Sequence, residues 1–151
     1  MSTQKLELSS MAIIATYIIG LGKMTDPDDQ TTWPLYQSHI PDGDDVETEC
    51  GGVYDTVGIN DPRSMNGTVS GHPGVQLRIR ARDYETGRTK IEDIAVALDA
   101  VVRDTVAIGP STYRLQNVSR TTPIVSLGVE PGTKRRNIFT VNYLLTVKKL
   151  S

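Results

Sequence analysis

The chain has a single cysteine, Cys50, which excludes an intrachain disulfide and a Cys-x-x-Cys zinc pair and fits a reducing compartment. Its two histidines, His39 and His72, lie far apart and outside any HExxH spacing. Long apolar runs are missing too. The longest uncharged one, Met11 to Gly22, falls short of the ~20 residues that a membrane-spanning helix needs. Glu7 precedes this run and no small-x-small cleavage site follows it, so it reads as a buried helix rather than a signal-peptide core. Charge of one sign is not in excess: 16 Lys and Arg stand against 18 Asp and Glu, a net charge of −2. A dedicated nucleic-acid binder carries a marked basic surplus, which this chain lacks, although local basic patches remain open to it.

What is present is enough for one domain. The 151 residues suit a single hydrophobic core, and a hydrophobic content of 38% is modest but sufficient to build one. The sequons Asn66-Gly-Thr and Asn117-Val-Ser read as chance in a protein expected to stay inside the cell.

The segment Leu6 to Leu21 has helical spacing. Leu8, Met11, Ala12, Ala15, Ile18 and Ile19 recur at intervals of three and four, and Ile14, Tyr17 and Leu21 widen the stripe. A helix this apolar around its girth has to be covered on more than one side, by core or by a partner. Gly20, Gly22 and Asp26-Pro27-Asp28-Asp29 end it. From about residue 23 to 74 the composition shifts to Gly, Pro, Asp and Asn, with two short apolar islands, Trp33 to Ile40 and Val53 to Ile59, that could be strands. This stretch reads as a long irregular insertion, either functional or a solvated surface loop. Its acidic part carries Asp42, Asp44, Asp45 and Glu47.

The second half is more regular. Val75, Leu77, Ile79 and Ala81 alternate with Gln76, Arg78, Arg80 and Arg82, the period of a strand with one buried face. A turn at Glu85-Thr86-Gly87 follows. Thr89 with Glu92 forms a capping box that opens a helix, with Ile91, Ile94, Ala95, Leu98, Val101 and Val102 on one face. Strands are expected at Thr105 to Ile108, Tyr113 to Val118, Pro123 to Glu130 and Ile138 to Lys148, the last two joined as a hairpin across Pro131-Gly132 and the basic tip Lys134-Arg135-Arg136. The expected fold is therefore α+β: one domain over 1–151, a mostly antiparallel sheet with two helices packed on one face, and the irregular insertion.

Motifs for chemistry fail when tested. Gly20-Leu21-Gly22-Lys23-Met24 lacks the first glycine of a phosphate loop and the hydroxyl residue after the lysine, and it closes a helix instead of opening one. Counted from Asp42, the sixth position is Glu47 and not the glycine of an EF-hand. No serine lies in a G-x-S-x-G elbow. Gly71-His72-Pro73-Gly74 reads as a turn before the Val75 strand, because a histidine acts as a base only with a positioned partner. The expectation is of a protein that is not an enzyme and uses no cofactor and no metal. The row Arg78, Arg80 and Arg82 is the most distinctive charged feature. It contacts a neighbouring subunit, or it pairs with carboxylates on adjacent strands.

The block Gly71-His72-Pro73-Gly74-Val75-Gln76-Leu77-Arg78-Ile79-Arg80, the helix Ile91-Glu92-Asp93-Ile94-Ala95-Val96-Ala97-Leu98 and the closing strand Ile138 to Lys148 together resemble tail terminator proteins of long-tailed bacteriophages, also known as minor capsid or tail completion proteins. The resemblance covers the C-terminal half and, loosely, the opening helix. It implies a virion protein of the tail and neck, assembled in the bacterial host cytoplasm. Such a subunit forms a hexameric ring that caps the tail tube, stops its polymerisation and meets the head-completion proteins. DNA then passes through the pore without sequence-specific binding, and no membrane is involved. An acidic balance suits such a channel, because phosphate binding grows with each basic contact. On this reading the subunit or partner contacts fall to Arg78, Arg80, Arg82, Lys134, Arg135 and Arg136, and to Asp42, Asp44 and Asp45 of the acidic loop. The alternatives are another neck protein such as a head-closure subunit, a small nucleic-acid-binding α+β domain, or a ligand-binding domain using His72 or His39.

Overall fold

The computed structural model describes residues 10–29, 32–38, 40, 49–60, 71–131 and 135–150. The chain runs α1 (Ser10–Gly20), a short 3-10 turn (Pro27–Asp29), β1 (Leu35–Gln37), β2 (Cys50–Asn60), β3 (Gly71–Ala81), α2 (Tyr84–Asp99), β4 (Asp104–Ile108), β5 (Ser111–Arg120), β6 (Val125–Val129) and β7 (Asn137–Lys149). The strands form one sheet in the order β1-β2-β3-β7-β5-β4, with β6 paired to β7 off that path. The β1–β2 pair is parallel and the other pairs are antiparallel, so the α+β sheet is mixed, not purely antiparallel.

Both helices feed one core. Ile13, Ile14, Ala15 and Ile18 of α1 and Ile91, Ile94 and Leu98 of α2 cluster with Val75, Leu77 and Ile79 of β3 and with Phe139, Val141, Tyr143 and Leu145 of β7. The β3–β7 register sets Leu77 opposite Val141 and Ile79 opposite Phe139, so the apolar residues of two neighbouring strands share the helix-covered face. Full burial of each such side chain stabilises by about 1.5–3 kcal/mol. The start of α1 contains no acid of its own, and β2 supplies one. Asp55 accepts from the Ser10 hydroxyl at 3.0 Å and from the Met11 N–H at 3.1 Å, which satisfies helix-start donors from 45 and 44 residues away. Leu6 and Leu8, the first residues of the expected helix, lie outside the described residues.

The stretch expected as an irregular insertion is, where described, part of the sheet. Strand β2 is 11 residues long and lies between β1 and β3. Its glycines hide this from the sequence, since glycine weakens a strand. Here they admit neighbours: a Cβ on Gly51 would stand 2.7 Å from the Met24 Cε, and one on Gly52 would stand 2.6 Å from the Ile40 Cγ1. Gly71-His72-Pro73-Gly74 is likewise not a turn but the first part of β3. The β2–β3 register shifts between Thr56 and Ile59, so Pro73 falls at the irregularity, where a missing N–H costs the ladder nothing.

Helix α2 starts well before the Thr89 capping box. Asp83 occupies its N-cap position, and Glu85, Thr86 and Gly87 lie inside the helix, not in a turn. Gly87 is there because the helix rests directly on β7: a Cβ would meet the Phe139 ring at 2.6 Å. Tyr84 packs its edge on the same ring at 5.1 Å between centroids. Val102, expected on the buried face, lies past the helix end and is exposed. Strands β4 to β7 form where the alternation predicts them, and β6 and β7 pair as the expected antiparallel hairpin.

Candidate functional site

The arginine row does not form one surface. Strand alternation places Arg78 and Arg80 on the sheet face turned away from the helices, opposite Gly52 and Cys50 of β2. Arg78 is half-buried, with its guanidinium 5.4 Å from the centre of the Tyr54 ring and its Nη2 donating to the Gln76 side chain at 3.5 Å. Arg80 is only 8% exposed. Its Nε lies 3.8 Å from the Glu130 carboxylate. Arg82 stands beyond the end of β3 at Ala81 and is exposed. Three arginines expected in one row thus occupy three environments, because burial across a sheet depends on what the neighbouring strands carry.

Glu130, which the sequence did not single out, organises the buried part. It follows β6, and its carboxylate accepts hydrogen bonds from the Arg136 Nε and, at 3.4 Å, from the Arg136 backbone N–H. Its own N–H donates to the Arg136 carbonyl at 2.9 Å, which closes the base of the β6–β7 hairpin. Arg136 is 3% exposed and directs Nη1 toward the Cys50 sulfur at 3.8 Å. The expected basic tip is therefore corrected: Arg136 is an internal ion-pair member that ties β3, β6 and β7 together, while Arg135 is exposed with a positive φ of 48°. Buried pairs of this kind specify a geometry more than they add net stability. A carboxylate six residues before an arginine across a predicted hairpin was the only signal for Glu130. Lys134, Asp42, Asp44, Asp45 and His39 lie outside the described residues.

Elsewhere, His72 is half-buried on β3 with Nδ1 3.2 Å from the Thr146 hydroxyl of β7. Tyr17 of α1 donates a hydrogen bond to the Asp104 carboxylate at the start of β4. Burial first, and then Asp104, pushes the Tyr17 phenol up to about 12. Among the described residues, no three of His, Cys, Asp and Glu converge as a metal would need. No described helix is long and apolar enough to cross a membrane.

The surface that stands out is β6. It pairs with β7 through the register Val125–Thr140, Ser126–Phe139, Gly128–Ile138 and Val129–Asn137, with Leu127 as the extra residue of a bulge. Every residue of the strand is exposed, with Val125 at 40%, Leu127 at 53% and Val129 at 49%. Among the described residues its second edge has no strand beside it. A second apolar exposure lies elsewhere, at Val96 on α2 and Val102 after it. An uncharged open edge and isolated valines on a helical surface are what contacts with other chains cover. In comparisons with known proteins, no family model and no curated protein matches the chain.

Proposed function

We propose that the chain is a structural subunit of a bacteriophage neck, forming a ring, hexameric by the resemblance, that caps the tail tube, ends its polymerisation and joins the tail to the head-completion proteins. The observation that carries this reading is the presence of exposed apolar residues at two separate places, β6 and the Val96–Val102 region. A head-to-tail ring needs two different surfaces on each subunit, whereas a twofold dimer needs only one. On this reading Arg82 and Arg135, the exposed members of the basic set, lie on contact surfaces. Arg80 and Arg136 are engaged inside the fold, which weakens the alternative of an arginine row that grips phosphates.

Native mass spectrometry with negative-stain imaging, on the free protein and on the protein mixed with purified tail tubes, tests the proposal. A six-subunit species with a central hole, or a cap of that shape on tube ends, is the expected outcome. Tubes that remain uncapped and continue to grow in its presence would remove the terminator role.

A further inference from the structure

Strand β6 reads nearly the same in both directions. From Val125 to Val129 it is Val-Ser-Leu-Gly-Val, apolar and small residues in turn, and no side chain in it is charged. Antiparallel pairing with the same strand of a second copy, about a twofold axis at Leu127, sets Val125 against Val129, Ser126 against Gly128 and Leu127 against itself. Apolar residues then meet apolar ones and no like charges are opposed.

The sheet leaves room for such a strand. Strands β5 and β6 both run antiparallel to β7, along successive parts of it, and together they form one row. Strand β4 covers only the first part of that row, from Ser111 to Leu115, and a single further bond from the Arg103 N–H to the Gln116 carbonyl follows. From Asn117 onward the row has no strand beside it among the described residues, and β6 occupies its far end. Edge strands are normally blunted by a lysine, a proline or an inward charge, and β6 has none of these. The bulge at Leu127 is its one irregularity.

We propose that free copies of this chain pair through β6, edge to edge across a twofold axis, so that two sheets become one. This contact differs from the head-to-tail contact of a ring. Where a ring uses β6, the pair must open first, so pairing keeps free subunits from assembling away from a tail end. The proposal shares with the ring reading only the premise that β6 is an association surface, and each can fail without the other.

The test is a cysteine at the axis. Directly opposed residues of antiparallel strands have Cα atoms about 4.5–5.5 Å apart, within the span of a disulfide, and the chain's own Cys50 is buried. Under mild oxidation, Leu127→Cys is expected to run as a covalent dimer on a non-reducing gel, while Val96→Cys on the exposed face of α2 stays a single chain. Native mass spectrometry should find two chains for the unmodified protein and one for Leu127→Lys, with circular dichroism and melting temperature unchanged. A single-chain mass for the unmodified protein at every concentration reached would overturn the pairing. So would a dimer that survives Leu127→Lys. Rings on tail tubes from a protein that never pairs would leave the ring reading standing alone, and pairs without capped tubes would do the reverse.

Discussion

Strands β5 and β6 share a partner and a direction, and their fates differ. Both pair antiparallel with β7 and both carry alternating apolar residues. In β5, Tyr113, Leu115 and Val118 are buried and lie in the core. In β6, Val125, Leu127 and Val129 are all exposed. The sequences of the two strands do not account for this. Helix α2 lies over β3, β7 and β5, and the contacts of α1 reach β1 to β4, so the helical layer stops short of β6. A strand is buried by what lies over it, and the hydrophobic period only states which residues would be buried if something did.

Substitutions can break or sharpen that contrast. The largest effect is expected from Leu115→Ala in β5, which removes a core side chain and should cost about 2–5 kcal/mol in urea or thermal unfolding. Glu130→Gln, at the exit of β6, weakens the ion pairs that hold the hairpin base to β3. It should cost about 1.5–3 kcal/mol, the usual worth of hydrogen bonds to a charged group, and hydrogen exchange should quicken in β6 before β5. Asp55→Ala removes the cap that β2 lends to α1 and should cost ~1 kcal/mol by the same unfolding assays.

The covered half should also respond to alkali where β6 does not. Burial raises the Tyr143 phenol, on the β7 segment that pairs with β5, to about 12 from an ordinary value of 10.0. The fold favours the neutral phenol, so this contribution is intact below pH 10 and is lost as the pH rises toward 12. Unfolding midpoints measured between these values should fall, and Tyr143→Phe should flatten the decline. The smallest effect is expected at β6 itself, where Leu127→Ala should change stability by no more than about 0.5 kcal/mol. A large loss there would mean that β6 is held by packing that its exposure does not reveal.

Much of the fold was legible in the residues. The alternation of Val75, Leu77, Ile79 and Ala81, the helical stripe of Ile91, Ile94, Ala95 and Leu98, and the closing strand to Lys149 all lie where their spacing puts them. What was missed has a common cause. Gly51, Gly52, Gly58, Pro73 and Gly87 look like breakers of regular structure, yet each sits inside an element. The glycines stand where a passing side chain or backbone leaves no room for a Cβ, and Pro73 stands at an irregularity of the ladder. Those neighbours come from distant parts of the chain and leave no mark in the local sequence. The candidate site was less legible still. Charge and period picked out Arg78, Arg80 and Arg136, and only the placement of Glu130 decides that two of them face inward.

The sequence by itself determined the element types, the inner face of β3 and β7, and the want of any recognisable nucleophile, phosphate-loop or EF-hand motif, because these follow from periodicity and residue chemistry along the chain. Only the tertiary structure decided that β2 lies inside the sheet, that Arg80 and Arg136 share one carboxylate, and that β6 is left uncovered. Each of these depends on which distant element comes to lie beside it, and such contacts between residues far apart in the chain are not written in any local pattern.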